Sequence, residues 1–389
     1  AYIGAPGPGF MGGPKVQEFE AQATSYFKVK HAIAVNSWTS GLIAAVGAIG
    51  LEPGDEIITT PWTMAATATA ILHWNGIPVF ADIDPETFNI CPKSVEKLIT
   101  KRTKAIFAVD IFGQTADMAV LREIADRHGL KLLCDTAQSP GARVGEAYTG
   151  TLADIGGFSL NYHKHIHTGE GGMLVTNDDK LALRCQLIRN HAENLIEDLG
   201  VDDLSNMLGS NYRLTELQAA IGCVQLDRVQ GYLDHRKRLA AHFGRKLAEF
   251  DGITAAKVAN GAEHAYYLYP IKFNAAKVGI SRSNFVKAVN AELPPPNIWE
   301  QNGFVEAYVK PLYLAPMYQK KIALGSKGFP WTVNSDVNYD YSKGSCPVVE
   351  RMHFEELIYT PLIREPLTED DIDDFVAVIK KVLANKNQL

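Results

Sequence analysis

The chain has 389 residues, of which 46% are apolar and 21% are charged, proportions typical of a folded globular protein. This composition excludes a disordered or low-complexity chain, and at about 150 residues per domain the length predicts two to three domains. Lys and Arg number 38 and Asp and Glu number 44, which gives a net charge of −6. Because nucleic-acid-binding proteins usually carry a basic excess, we expect no nucleic-acid partner.

The cysteines and the apolar runs indicate a cellular compartment. The five cysteines are scattered and form no CxxC pair, a pattern typical of reduced thiols in a cytosolic protein. No apolar run approaches the roughly 18 residues of a membrane span, and no signal peptide is visible. We therefore expect a cytoplasmic protein without a membrane segment.

An arm and a helix are predicted first along the chain. Residues 1–14 are rich in Gly and Pro, which disfavour regular structure, so we expect an extended arm. From Lys15 the pattern becomes that of an amphipathic helix, because apolar residues recur every three or four positions, at Val16, Phe19, Ala23 and Phe27.

Seven short apolar runs follow, and helical segments alternate with them. Most of these runs are apolar at successive positions, as expected for strands covered on both faces; they are 31–36, 55–60, 77–83, 104–111, 130–135, 156–160 and 172–176. Strand, helix and strand in repeated order predict an α/β fold with a mostly parallel central sheet wrapped by helices. In such sheets ligands bind at the carboxyl ends of the strands.

The second half of the chain predicts a long helix and a smaller domain. Between about 211 and 250 the period is helical, with an apolar stripe of Leu214, Leu217, Ile221, Val224 and Leu233. We expect a large domain at 15–250 and a smaller C-terminal α+β domain at 251–389. Within the latter, 266–273 is predicted to be a strand, 310–350 to be mostly irregular, and 368–383 to be a helix capped by Thr368.

The segment FSLNYHKHIHTGEGGMLVT at 158–176 carries the first candidate for catalysis. Lys164 lies in a Gly-rich loop between two strands, and a lysine held in a cleft can lose its proton and form a Schiff base with a carbonyl. The alternative is an ordinary solvated lysine. The neighbouring His163, His165 and His167 could be metal ligands, but alternating positions in a loop suit a compact site poorly, which favours polar loop residues.

Two further segments follow predicted strands. Asp135 comes directly after the run LKLLC and is either a helix N-cap or a buried anion that pairs with the protonated ring nitrogen of a cofactor. In NSWTSGL at 36–42 the start of a helix can attract phosphate, with Thr39 and Ser40 as hydroxyl donors or as ordinary caps. A phosphate holder, an acid and a Schiff-base lysine together suit pyridoxal 5′-phosphate, because the lysine tethers the aldehyde and the acid keeps the pyridine nitrogen protonated.

At this point the chain resembles the DegT/StrS family of fold type I pyridoxal-phosphate aminotransferases, which make amino sugars. NSWTSGL is similar to the family's SSGTAAL phosphate segment, and the segment around Lys164 is similar to its SFxxxKxxTTGEGGMVVT signature. Further blocks extend the resemblance over nearly the whole chain: GPKVQEFE (13–20), LEPGDEIITTPWTMAATATAI (51–71), CDTAQSPGA (134–142) and GSNYRLTELQAAIGCVQL (209–226).

The resemblance implies an aspartate aminotransferase-like fold and a role for each matching residue. Lys164 is expected to hold pyridoxal 5′-phosphate covalently as an internal aldimine, and Asp135 to pair with the ring nitrogen. Gln138 is expected to face the ring near its phenolic oxygen. The phosphate is expected to contact Thr39, Ser40, Ser159 and, from the other subunit of a homodimer with shared active sites, Asn211.

Two departures from the family pattern concern the cofactor pocket. The family usually places an aromatic residue over the ring, whereas Met64 stands here, with its thioether able to pack on the ring and Trp62 adjacent. Trp38 replaces the usual Gly and is expected to shape the pocket. Relatives with His in place of the lysine remove a hydroxyl group instead, but Lys164 stands at the lysine spacing before Gly169 and the neighbouring histidines are off register.

The resemblance implies that an amino acid, expected to be glutamate, donates its amine to a keto-sugar, expected to be nucleotide-linked, in amino-sugar or polysaccharide biosynthesis. The alternative is a keto-cyclitol acceptor of the inosose type, because 313–333 and 343–353 resemble members with such substrates. A non-catalytic regulatory role is a further alternative, because some family members were first described as regulators, but the presence of both Lys164 and Asp135 disfavours it.

Overall fold

The computed structural model describes residues 12–197, 199–294 and 303–389. The predicted arm at 1–14 therefore lies outside the described residues except for 12–14, and the first helix begins at Pro14. Its predicted apolar face is confirmed, because the four residues that define this face are buried: Val16, Phe19, Ala23 and Phe27.

The described residues form three sheets. Their strands are β1 His31–Val35, β2 Glu56–Thr59, β3 Ile77–Phe80, β4 Thr103–Val109, β5 Lys131–Asp135, β6 Arg143–Val144, β7 Ala147–Tyr148, β8 Ile155–Ser159, β9 Gly172–Thr176, β10 Ile253–Ala255, β11 Ala262–Glu263, β12 Tyr269–Phe273, β13 Val305–Glu306 and β14 Leu357–Thr360.

Helices connect these strands, and none within the described part of the chain is both long enough and apolar enough to cross a membrane. The α-helices are α1 Pro14–Phe27, α2 Trp38–Ala48, α3 Ala65–His73, α4 Pro92–Lys97, α5 Met118–His128, α6 Asp179–Arg189, α7 Glu216–Leu247, α8 Ala275–Val278, α9 Arg282–Glu292, α10 Pro316–Lys320, α11 Pro347–Arg351 and α12 Glu369–Ala384.

The largest sheet has seven strands in the order β1-β9-β8-β5-β4-β2-β3. All neighbours are parallel except the pairs that β9 makes with β1 and β8. Each predicted apolar run overlaps one of these strands, so the α/β fold with a mostly parallel sheet is confirmed. The carboxyl ends of β1, β5 and β8 share one edge, where Val35 and Ser159 both oppose Gly172 and Asp135 opposes Gly157.

Helices on both faces of this sheet explain why its strands are apolar at successive positions. Leu133 packs in a cluster with residues of α2 and α6, such as Leu42 and Ile188. Its neighbour Leu132 points to the opposite face and packs with Leu121 of α5. Because successive side chains of a strand alternate between faces, two covered faces require an unbroken apolar run.

The long helix α7 begins later than predicted, at Glu216 instead of about 211. The side chains of Thr215 and Gln218 form a capping box that starts the helix there. The preceding residues are extended instead, since Asn211 and Arg213 form isolated antiparallel β-bridges with residues 190 and 35. The predicted apolar stripe divides: Leu214 and Leu233 are buried, but three residues are exposed, Leu217, Ile221 and Val224. Those three residues, the α7 patch, are therefore not part of a core formed by the described residues.

A second unit follows α7. Its sheet, in the order β10-β12-β14-β13, is antiparallel and shares a core with the end of α7, α9 and α12 through residues such as Phe243, Phe285 and Phe375. The predicted strand at 266–273 is β12, which is shorter. The predicted final helix is α12, and Thr368 caps it by accepting a hydrogen bond from the Asp371 amide.

The segment 310–350 packs on the large sheet, although it follows the predicted boundary near 250. The Tyr341 hydroxyl donates a hydrogen bond to the Pro78 carbonyl (2.8 Å), and the Tyr339 hydroxyl donates to Glu56 Oε1 (2.7 Å). The segment thereby covers edge strand β3, which would otherwise expose unpaired backbone groups. The division into 15–250 and 251–389 stays a prediction.

A buried ion pair joins three elements of the large unit. Arg189, at the end of α6, donates from Nη1 to Glu20 Oε1 of α1 at 2.7 Å, and the side chains are 2% and 9% exposed. The same carboxylate oxygen accepts the Ala34 amide of β1 at 2.8 Å. Burial raises the pKa of Glu20, and the Arg189 charge opposes this shift.

We expect Arg189→Met to lower the free energy of unfolding by about 3 kcal/mol, because it leaves the buried Glu20 carboxylate without its cation. The matched control is Lys15→Met, which breaks the exposed Lys15–Glu18 pair on the same helix and should leave stability almost unchanged. Urea unfolding of both variants measures the change in the free energy of unfolding that each substitution causes. Equal changes would contradict a stabilising role for the buried Glu20–Arg189 pair.

Candidate active site

Asp135, the last residue of β5, is the most constrained carboxylate at the ligand edge of the large sheet. It is only 4% exposed. Its Oδ1 accepts hydrogen bonds from Trp38 Nε1 (2.7 Å) and the Ala137 amide (3.1 Å), and its Oδ2 accepts one from Thr67 Oγ1 (2.7 Å). A turn follows Asp135, so the helix N-cap interpretation is wrong.

Lys164 lies in the loop after β8, and its amine is held against an aromatic ring. Nζ lies 4.1 Å from the centre of the Tyr267 ring. Burial lowers the pKa of Lys164 from 10.5 to about 8, and the negative charge of Asp135 partly opposes this shift. A substantial fraction of the amine is therefore unprotonated, and hence nucleophilic, at mildly alkaline pH.

The predicted phosphate-binding residues lie at the start of α2. Ser37 is the N-cap of this helix, since its side chain accepts the Ser40 amide at 3.1 Å. The Ser40 hydroxyl donates to Asn36 Oδ1 at 2.7 Å, and Thr39 is exposed. The free amides of this first turn and the Thr39 hydroxyl therefore remain for an anion.

Ser159 and Asn211 lie near this helix start within the same chain. Gly172 of the middle strand β9 pairs with Ser159 of β8 on one side and with Val35 of β1 on the other. The Asn211 carbonyl accepts a hydrogen bond from the Asn36 side chain at 3.3 Å, and Asn211 itself is exposed. Contact of its side chain with a neighbouring subunit stays a prediction.

Gln138 is held by the protein through both ends of its amide. Its Oε1 accepts the Phe112 amide at 2.7 Å, and its Nε2 donates to the Tyr308 hydroxyl at 2.8 Å. One hydrogen of Nε2 and one lone pair of Oε1 are therefore left for a ligand. Trp62 is fully buried and packs edge-on against Phe112 and Tyr308, whereas Met64, at the predicted stacking position, is 55% exposed.

The three histidines around Lys164 have different surroundings. His165 is buried and its Nε2 contacts the Ala265 carbonyl at 2.9 Å, His163 packs beside Tyr162, and His167 is exposed. No group of three metal-ligating side chains occurs within 12–197, 199–294 and 303–389.

A cavity of about 450 Å³ opens beside Lys164. Its walls come from the loop 162–167, from α7 and from the segment 362–367 of the second unit, and they include Arg236 and Arg364. Burial and the charge of Arg364 lower the pKa of Arg236 to about 10. Arg236 and Arg364 outnumber Glu365, which also lines this cavity, so its lining has a positive excess that favours an anionic ligand.

Three residues of this site were not singled out by the sequence. Thr67 lies in the family-like segment 51–71, but its contact with Asp135 depends on how α3 packs. Tyr267 and Tyr308 come from the distant second half of the chain and reach Lys164 and Gln138 only through the tertiary fold. No local spacing signals such contacts.

The donor set fits the predicted cofactor group by group. Asp135 offers a buried anion for a pyridinium nitrogen, and Lys164 offers an amine of lowered pKa for an aldehyde. The first turn of α2 with Thr39, together with Ser159, offers amides and hydroxyls for a phosphate. These groups share one edge of the sheet.

Comparison with known proteins gives consistent results. Residues 7–357 match the DegT/DnrJ/EryC1/StrS aminotransferase family. The chain is 32% identical to the spore coat polysaccharide biosynthesis protein SpsC of Bacillus subtilis, covering 95% of this chain and 90% of that protein. It is 38% identical to GDP-perosamine synthase of Caulobacter vibrioides over 71% of this chain and 73% of the other. It is also 30% identical to L-glutamine:2-deoxy-scyllo-inosose aminotransferase of Streptoalloteichus tenebrarius, over 96% of this chain and 87% of that protein.

A solved structure has the same fold. The aminotransferase from Psychrobacter cryohalolentis superposes with a TM-score of 0.81 at 26% sequence identity, covering 96% of this chain and 92% of that chain. The expected architecture of a pyridoxal-phosphate-dependent aminotransferase is thereby confirmed.

We expect the apoprotein to react with pyridoxal 5′-phosphate at a rate that rises with pH around a midpoint of about 8, because only the neutral Lys164 amine attacks an aldehyde. Asp135→Asn should move this midpoint lower, since the Asp135 charge raises the Lys164 pKa. Stopped-flow absorbance measures the rate, with Lys164→Ala as the unreactive control. A midpoint near 10.5 in both proteins would contradict a buried amine.

Proposed function

The chain belongs to the DegT/DnrJ/EryC1/StrS aminotransferase family, and on that premise we propose that it transfers an amine from glutamate to a nucleotide-linked keto-sugar with pyridoxal 5′-phosphate bound to Lys164. The observation that carries this proposal is the pairing of a buried carboxylate, Asp135, with a lysine of lowered pKa at one sheet edge. When bound, the cofactor supplies an electron-accepting ring that stabilises a carbanion.

The residues of the chain divide the remaining work. Asp135, held by Trp38 and Thr67, keeps a proton on the ring nitrogen of the cofactor. Lys164 Nζ, with its pKa near 8, can take a proton from the α-carbon of the amino donor close to neutral pH. The first turn of α2 and Ser159 hold the phosphate and so fix the orientation of the ring.

The cavity beside Lys164 supports anionic substrates. Arg236 and Arg364 line it, and both the carboxylates of glutamate and the phosphates of a nucleotide carry the complementary charge. GDP-perosamine synthase and the polysaccharide biosynthesis protein among the relatives favour a sugar acceptor.

A keto-cyclitol acceptor is the second candidate. The similarity to an inosose aminotransferase spans 96% of the chain and favours it. A cyclitol lacks the nucleotide phosphates, so it would leave the arginines of the cavity to the amino donor alone.

We also propose a cytoplasmic homodimer with shared active sites. All five cysteines are free, as expected in a reducing compartment. The α7 patch exposes Leu217, Ile221 and Val224 on the helix that follows the exposed Asn211 in the chain, and an apolar patch of this kind is typical of a protein interface. Asn211 would reach the phosphate bound by the partner across this interface.

We expect isotopically labelled nitrogen from glutamate to appear in a nucleotide-linked amino sugar when the holoenzyme is incubated with a panel of keto-sugars and keto-cyclitols. Mass spectrometry of the products identifies the acceptor, and Lys164→Ala is the control that should transfer nothing. Transfer to keto-cyclitols alone would select the second candidate. Transfer to none of the panel, or unchanged turnover in Lys164→Ala, would reject the proposed function.

Shared sites are tested by mixing two inactive variants, Lys164→Ala and Asn211→Asp, whose new carboxylate repels a phosphate. If Asn211 serves the partner's site, a mixed dimer has one site with both lesions and one with neither, so activity should recover to about half per mixed dimer. If Asn211 serves the site of its own chain, each site of the mixed dimer carries one of the two inactivating substitutions, and no activity is recovered. Native mass spectrometry establishes that mixed dimers have formed, and their inactivity would then overturn the shared-site proposal.

A further inference from the structure

Trp38 is the first residue of α2, and its side chain lies in the core below the ligand edge instead of in solvent. It is 5% exposed and packs in the cluster that contains Leu133 and Leu174 of the large sheet. Its indole N–H donates to Asp135 Oδ1 at 2.7 Å. The family motif SSGTAAL has Gly at this position, which can make no such bond.

The indole completes a set of donors that fixes the Asp135 carboxylate from two helices. Trp38 of α2 holds Oδ1, and Thr67 of α3 holds Oδ2 at 2.7 Å. With the Ala137 amide also bound to Oδ1, the carboxylate cannot rotate without breaking a buried hydrogen bond. Bonds of this kind, between a neutral donor and a buried anion, are among the stronger ones in proteins.

Space for the indole depends on glycines. A Cβ on Gly41, one turn further along α2, would lie 2.6 Å from Cε3 of Trp38, and a Cβ on Gly157 would collide with Cη2. Gly157 is the residue of β8 that opposes Asp135.

Of the four positions at which this segment departs from the family motif, two lie in contact in the structure. NSWTSGL aligned on SSGTAAL puts Trp38 on Gly and Gly41 on the second Ala. One change adds an indole, and the other removes the methyl group that would occupy its position. The two changes are therefore physically coupled.

We propose that Trp38 is a positioning residue for the transamination, which acts through its hydrogen bond to Asp135, and that Gly41 is its obligatory counterpart. Trp38 thus supports the carboxylate through its indole N–H. This inference rests on the proposed function, because it assigns Asp135 to the ring nitrogen.

The first test is Trp38→Phe, which keeps an aromatic ring but removes the N–H donor. We expect proton abstraction from the amino donor to slow about 10- to 100-fold, the equivalent of one hydrogen bond to a charged group, while KM for the keto acceptor stays nearly constant. The nitrogen chemical shift of an isotopically labelled cofactor ring should move toward that of an unprotonated pyridine.

Asp135→Asn is the reference for this measurement. If it changes the ring-nitrogen shift and Trp38→Phe does not, the positioning role is overturned and the proposed function stands. If Asp135→Asn leaves the shift unchanged, the assignment of Asp135 fails, and the role of Trp38 fails with it.

The second test uses the apoprotein and measures the coupling of positions 38 and 41. In the wild-type background, Gly41→Ala should lower the thermal unfolding midpoint by about 2–5 °C because the new methyl group overpacks the indole. In the Trp38→Gly background, the same change should raise the midpoint, since alanine is the better helix former. A destabilisation of equal size in both backgrounds would overturn the coupling.

Discussion

The burial of the Asp135 carboxylate is the constraint that organises the ligand edge. An anion that is 4% exposed is tolerated only where donors replace the water it has lost. Two of its donors are side chains, and they come from the first turn of α2 and from α3. The carboxylate thus fixes the entry of α2, whose unpaired amides are the ones suited to a phosphate. Under the proposed function, recognition of the ring nitrogen and recognition of the phosphate would therefore depend on a single local packing arrangement.

The elements of the large sheet could be predicted because their cause is local. A strand covered on both faces must be apolar at successive positions, as Leu132 and Leu133 show, and that pattern is visible in the sequence.

Which apolar residues of α7 are buried was less predictable. Leu217 and Leu233 have the same apolar character, but only the packing of α1 and the second unit against this helix decides which is covered. The position of 310–350 on edge strand β3 likewise depends on distant hydrogen bonds.

The candidate site shows the same division. Lys164, Asp135 and the start of α2 carry recognisable signals, because each lies at the end of a strand or within a few residues after it, at the ligand edge. Their partners do not. Trp38 and Asp135 are 97 residues apart, and Gln138 and Tyr308 are 170 apart. Motif similarity places Gln138 near a cofactor, but it does not reveal that protein groups already bind both ends of its amide.

Two buried carboxyl groups at the edge show why donors matter as much as position. Asp110 directly follows β4, as Asp135 ends β5, and burial raises the pKa of Asp110 to about 7. Its Oδ2 has no hydrogen-bond partner within the described part of the chain, whereas both oxygens of Asp135 are bonded to side chains. Near neutral pH Asp110 is therefore partly protonated, and the edge is spared a second full negative charge. Both carboxyl groups thus share a position at a strand end, whereas the side-chain donors distinguish Asp135, whose charge also acts on Lys164.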